Sequence, residues 1–463
     1  MNNAHTSRKR CDLNDLNFST ATELAAAIRQ RHVSATEVLE AQLTQIALHN
    51  PAVDAIVTLD EQGARLRAQA ADVALARNEV WGPLHGVPIT LEDMHVTAGI
   101  RSTCGGYPPL ATHIPSYDSS AVARLKAAGV IITGKTNGPT IWEDSIFAPT
   151  NNPWDLKRTP GGSSSGPAAA LAAGLSPLDI GGDSTGSITV PTHYCGIFGM
   201  RPTQNRVSVA DAFMLLDPIR KFRSLMVFGP MARSVDDVRM ALQVISGPNV
   251  NDSEVPPLPW QEVPPVALQG LRIAFASTFP QTKVAEDIRT AIESFAHTLD
   301  GLGVHIEQDL PKVDLAEQVQ LCNELFGLMA GAFAPPSEDA HPASLNAYLL
   351  ALHKRDAFIA GWEHFFTKWD VLLCPADWIT APLQTEKETM VDGEVIPEGQ
   401  GIHPANVFPL TGHPTVVIPL TKDRNGLPIG IQIVGKRWDD ERLLAIAQIL
   451  TEITGGFQRP MGY

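Results

Sequence analysis

The sequence has few cysteines, and they are scattered. The five stand at positions 11, 104, 195, 322 and 374, an odd number with no CxxC spacing. That pattern excludes a disulfide framework and the usual zinc-binding spacings, and it suits a reducing compartment. Long apolar runs are also absent: none reaches the roughly 18 residues that a membrane span needs, and the N-terminus lacks the apolar core of an export signal. Positive charge is short as well, with 35 Lys and Arg against 50 Asp and Glu, a net −15. Such a balance argues against nucleic acid, which needs clustered cations for its phosphates. Arg8-Lys9-Arg10 is too short to change this and reads as a solvated tail. The expectation is a cytoplasmic protein, monomer or homodimer, with no membrane, nucleic acid, metal or organic cofactor.

What is present supports a large core. Hydrophobic residues make up 44% of the chain, and 36 glycines and 36 prolines provide many turns. Residues 1–14 read as a disordered tail. Ser34-Ala-Thr-Glu37 is a capping box with Leu39, Leu43 and Ile46 on one face behind it. Val87–Leu91, Leu271–Phe275, Val304–Ile306 and Asp370–Cys374 read as strands, and 236–245, 284–302 and 439–453 as helices. This alternation predicts one α/β domain over residues 15–463, a mixed, mainly parallel sheet covered by helices on both faces. Gly129–Thr136 spells GxxxxGK[ST], but its Val-Ile-Ile-Thr interior is strand-like and Asn137-Gly138-Pro139 stops any helix. A phosphate loop is therefore not expected there.

Glycines and hydroxyls concentrate in 159–203, TPGGSSSGPAAALAAGLSPLDIGGDSTGSITVPTHYCGIFGMRPT. Ser163, Ser164 and Ser165 lie between Gly162 and Gly166, and Ser184, Thr185 and Ser187 follow Gly182-Asp183. An alanine-rich helix joins the two clusters, pinning one hydroxyl-bearing loop at each end. This stretch resembles the signature of the amidase signature family. The matching residues are Gly161-Gly-Ser-Ser164, Gly182-Asp183, Gly186-Ser187-Ile188, Pro191, Cys195-Gly196, Gly199 and Pro202-Thr203. Ser165 and Thr185 replace family glycines, Thr189 an arginine and Arg201 a lysine. The likeness runs from about residue 20 to 455 and is weakest over 205–400, where candidate substrate-pocket lid segments fall.

The resemblance implies a Ser-cisSer-Lys hydrolase of the aryl acylamidase or urethanase-like kind. Ser187 takes the place of the nucleophile and Ser163, 24 positions earlier, that of the bridging serine on a cis peptide bond. Backbone N–H groups around Ser184, Thr185 and Gly186 match the oxyanion hole. Trp142, Phe147, Tyr194 and Phe326 are candidate pocket residues for a small amide or carbamate. The segment Gly86-Val-Pro-Ile-Thr-Leu-Glu-Asp93 resembles the family's G-V-P-x-x-x-K-D, whose lysine is the base, and here that position is Glu92. A carboxylate is about 6 pKa units less basic than an amine, so the expected amidase is impaired. Carbamate or ester hydrolysis, an inactive substrate-binding relative and a Glu92 working as base after burial are the alternatives. An α/β-hydrolase reading would use the G-x-S-x-G serines Ser164 or Ser184, with Asp370 and His403 or His413. Membership of a tRNA amidotransferase complex is disfavoured by the acidic balance.

Overall fold

The computed structural model describes residues 16–138, 144–210, 224–333, 344–397 and 402–463. The N-terminal tail reading and Trp142 lie outside them. Two capping boxes open the described chain: Thr20 with Glu23 starts α1 (Ala21–Arg29), and Ser34 with Glu37 starts α2 (Ala35–Val53). Strand β1 (Ile56–Leu59) and helix α3 (Glu61–Ala76) follow, then β2 (Pro88–Glu92), α4 (Ser120–Ala127) and β3 (Ile131–Thr136). These strands form a small sheet in the order β1-β3-β2. Every residue of β3 is buried, Lys135 included, so the GxxxxGK[ST] match is a core strand and cradles no phosphate.

The alanine-rich helix is α5 (Ser165–Ala172), buried from Gly166 to its end. Then come β4 (Leu178–Asp183), α6 (Thr189–Cys195), β5 (Phe198–Arg201), β6 (Val227–Ala232), α7 (Val235–Ile245), β7 (Arg272–Phe275), α8 (Glu286–Gly301) and β8 (His305–Gln308). The stretch with candidate lids holds α9 (Leu315–Phe333) and α10 (Leu345–Lys368). The chain closes with β9 (Val371–Pro375), the small hairpin β10 (Thr389–Val391) and β11 (Glu394–Ile396), α11 (Val407–Thr411), β12 (Thr415–Lys422), β13 (Pro428–Gly435) and α12 (Asp440–Thr454).

An eight-stranded sheet runs in the order β4-β6-β5-β12-β13-β9-β7-β8. Strands β4, β5, β6, β9 and β13 are buried at every residue, as a sheet covered on both faces requires. The mixed α/β architecture is as expected, but the strand directions differ from the mainly parallel expectation. Only β9–β7 and β7–β8 pair parallel; the other neighbours in this sheet pair antiparallel. The reason is interleaving. Strands β4 and β5 run the same way, but β6 slots between them antiparallel to both. Strand β12 does the same between β5 and β13. A one-dimensional alternation of helices and strands shows the crossovers and not what is later inserted between them. Among the described residues no helix is long and apolar enough to cross a membrane.

Candidate active site

The two serine loops sit at the ends of α5 and β4. Ser163 follows Gly162 through a cis peptide bond. Ser164 then leads into α5, and its N–H donates to the carbonyl of Ser187 at 3.1 Å. The loops are thus joined backbone to backbone. Ser163 and Ser187 are both half-buried, and no hydrogen bond joins their hydroxyls.

Asp183, at the end of β4, shapes the second loop. Its carboxylate accepts from the N–H of Gly186 at 2.9 Å and of Ile188 at 2.8 Å. Arg201, standing where the resemblance has lysine, is buried and faces the same carboxylate at 3.6 Å. It also donates to the carbonyls of Asp183 and Leu225. Gly186 has φ +106°, and a β carbon there would lie 2.5 Å from that of Ala405. Both observations demand glycine. Thr185 does not adopt a positive φ, so it fits its glycine position without strain. Of the three expected oxyanion donors, the Gly186 N–H is already committed to Asp183. No described residue accepts from the N–H of Ser184 or Thr185.

Glu92 ends β2, fully buried. Its Oε2 accepts from the Ser164 hydroxyl at 2.9 Å and from the Gly182 N–H at 2.9 Å. Its Oε1 has no partner among the described residues, and a β carbon on Gly138 would lie 3.3 Å from it. Burial pushes the Glu92 carboxyl up to about 8, the Ser164 hydrogen bond opposing it and Asp179 adding to it. Lys135 lies in the same buried region. Its ammonium donates to the His95 carbonyl and to the Thr97 hydroxyl at 3.1 Å. Burial lowers it to about 8 against the pull of Asp93, Asp179 and Glu92. Asp179 accepts from the hydroxyls of Thr90 and Thr136, and burial raises it to about 6.

Of the pocket candidates, Tyr194 is buried on α6 and its hydroxyl donates to Asp377 at 2.9 Å. Phe147 is half-buried beneath the Arg101 guanidinium, 5.6 Å from it. Phe326 is on α9 and 37% exposed. Neither serine of the α/β-hydrolase reading sits on a strand-to-helix elbow. Ser164 has a helix after it and no strand before it, while Ser184 follows β4 with the helix delayed to Thr189. Sequence reasoning missed Ser164 as the Glu92 partner, and it missed Asp377. A 72-residue separation hides the first, and the second carried no motif.

A family model described as Amidase matches residues 37–335 and 338–444. The chain belongs to the amidase family, hydrolases that act on C–N bonds. It is 30% identical to a glutamyl-tRNA(Gln) amidotransferase subunit from Carboxydothermus hydrogenoformans, over 95% of this chain and 98% of that one. The corresponding protein of Geobacillus thermodenitrificans is 32% identical, over 94% and 97%. Among solved structures, a chain from a vestigial protein complex that reveals the origins of an s-triazine catabolic enzyme superposes with TM-score 0.83 at 27% identity, covering 96% of this chain and all of that one. A 6-aminohexanoate cyclic dimer hydrolase, complexed with substrate, gives TM-score 0.78 at 26% identity, covering 96% and 99%.

Proposed function

We propose that this chain hydrolyses small hydrophobic or aryl amides through an acyl-enzyme on Ser187, with activity held down by Glu92. The observation that carries the reading is the Ser164 N–H to Ser187 carbonyl bond at 3.1 Å, which ties the cis-Ser163 loop to the Ser187 loop. In this mechanism the Ser187 hydroxyl adds to the amide carbonyl carbon. Its proton passes to Ser163, which donates and accepts at once and so hands its own hydroxyl proton on toward the leaving nitrogen in the same step. The oxyanion takes hydrogen bonds from the Ser184 and Thr185 N–H groups. Collapse breaks the C–N bond, the leaving nitrogen takes the proton through Ser163, and water then releases the acid by the reverse path.

Glu92 supports the impaired form. At neutral pH a carboxyl with a pKa of about 8 is mostly protonated and takes no proton. Its oxygen is bonded to Ser164 and Gly182 rather than to Ser163. The same observation favours a second reading, a binding protein that keeps the pocket without the turnover. Carbamates and esters share the tetrahedral addition and belong in the substrate panel. The net charge of −15 weighs against a tRNA-bound role like that named for the amidotransferase relatives. The proposed protein acts on a small molecule, as a cytoplasmic monomer or homodimer.

Turnover of aryl amides, carbamates and esters by this chain and by Ser187→Ala tests the reading. Hydrolysis that disappears in Ser187→Ala supports it, and full activity in Ser187→Ala overturns it. Ligand-dependent thermal stabilisation with no turnover by this chain selects the binding protein.

A further inference from the structure

Asp377 lies just past β9, buried, with both carboxylate oxygens engaged. Its Oδ2 accepts from the Tyr194 hydroxyl at 2.9 Å. Its Oδ1 accepts from the Trp378 N–H and faces His403 Nε2 at 3.5 Å. The Tyr194 ring underlies the first serine loop: a β carbon on Gly161 would lie 3.1 Å from its Cδ2, two residues before Ser163. His403 reaches the second through Ala405. Its Nδ1 accepts from the Ala405 N–H at 3.3 Å, and Ala405 is the residue packed against Gly186, next to Ser187. The Trp378 ring lies against His403, centroids 4.6 Å apart, and its indole N–H donates to the carbonyl of Ile402.

We propose that Asp377 is a positioning residue that buckles the two serine loops together, through Tyr194 on the Ser163 side and through His403 on the Ser187 side. The inference rests on the reading of Ser163 and Ser187 given above. A single carboxylate that holds one residue against each loop fixes their separation together with the Ser164–Ser187 backbone bond, and reaction rates depend steeply on that separation. Burial and the neighbouring Asp377 push the Tyr194 phenol well above its usual range, so it stays a neutral donor to the carboxylate. Asp377 touches no reacting atom in this scheme, so its loss should lower kcat and leave KM nearly unchanged.

The test is amide hydrogen exchange, read by mass spectrometry on peptides 159–166 and 183–190, in the full chain and in its Glu92→Lys form. Tyr194→Phe is expected to speed exchange about fivefold or more chiefly in the first peptide, and His403→Gln chiefly in the second, with the shared Ser164 N–H responding to either. Asp377→Asn is expected to speed both and, in the Glu92→Lys form, to lower kcat about tenfold with KM within about twofold. Unchanged exchange in both peptides of a folded Asp377→Asn protein overturns the proposal, as does an equal rise in every peptide of the chain. Should Asp377→Asn not fold, the responses of Tyr194→Phe and His403→Gln decide, and no rise in its own loop, or a larger rise in the other loop, for either variant overturns the proposal. The expected exchange pattern together with full hydrolysis by Ser187→Ala keeps the buckle and removes Ser187 as nucleophile, so the two failures are distinct.

Discussion

Replacing Glu92 with lysine should raise aryl amide hydrolysis at least about 100-fold, the low end of what a positioned general base supplies. That factor corresponds to about 2.7 kcal/mol of barrier. The magnitude follows from three features of the site. First, with its pKa at about 8, only about one-tenth of Glu92 is ionised at pH 7. Second, ionising it would place a negative charge near the developing oxyanion, which opposes the reaction, whereas a neutral amine becomes a cation as it takes the proton. Third, a lysine in this region would be neutral often enough to work. Lys135, buried beside it, is already lowered to about 8. A second ammonium there would feel the same desolvation, with the Lys135 charge lowering it and Asp93 and Asp179 raising it.

The assay is release of a nitroaniline by both proteins across pH 6–10, with melting curves to establish folding. The lysine form should climb to a plateau near pH 8–9 as its amine loses its proton. The glutamate form should stay low, and should fall further above about pH 8 if its charge repels the oxyanion. Equal or lower activity in a folded Glu92→Lys protein would refute the reasoning. A glutamate form that climbs through pH 8 to match the lysine form would instead show the carboxylate working as base.

Two further perturbations follow from the same geometry. The folded protein holds the Glu92 proton more tightly than an unfolded chain does, so this group's contribution is intact below about pH 4.5 and is lost as pH rises through about 8. The full loss is on the order of 5 kcal/mol and is an upper bound. Urea unfolding between pH 7 and 9.5 should therefore weaken this chain more than Glu92→Gln, by at least about 1 kcal/mol; parallel pH curves would contradict the buried, protonated state. Gly186→Ala should cost about 1–3 kcal/mol, because alanine is strained at φ +106° and its β carbon meets Ala405. Adding Ala405→Gly should recover part of that loss in thermal melts, and no recovery would place the whole penalty in the backbone angle.

Much of the scaffold can be read along the chain because its signals are local. The Ser34 capping box and the buried strand 131–136 each depend on residues within a few positions of one another. The Thr20 box has the same local form. Strand direction was not local: the insertion of β6 between β4 and β5 depends on where a later strand returns to the sheet. At the site, the spacing of Ser163 and Ser187 and the odd residue at 92 stood out. The partners of Glu92 did not, since the Ser164 hydroxyl and the Gly182 N–H reach it from across the core. Tyr194 read as an apolar pocket residue because its hydroxyl finds Asp377, 183 residues away.

A glutamate buried at position 92 ought to threaten the fold, since it adds one acid to a region that already holds several. The hydrogen bonds explain why the structure accommodates it. Asp93 takes the N–H and hydroxyl of Thr103 and the N–H of Gly105. Asp179 takes two threonine hydroxyls and its neighbour's N–H. Asp183 takes two loop N–H groups and faces Arg201. Each carboxylate has its own donors, so none depends on a cation at position 92. Glu92 itself finds two donors for Oε2 and leaves Oε1 without a partner among the described residues, and holding its proton removes most of the cost of that burial. The identity of residue 92 therefore bears on the proposed reaction more than on the architecture. A lysine at 92 should change the rate far more than it changes the melting temperature.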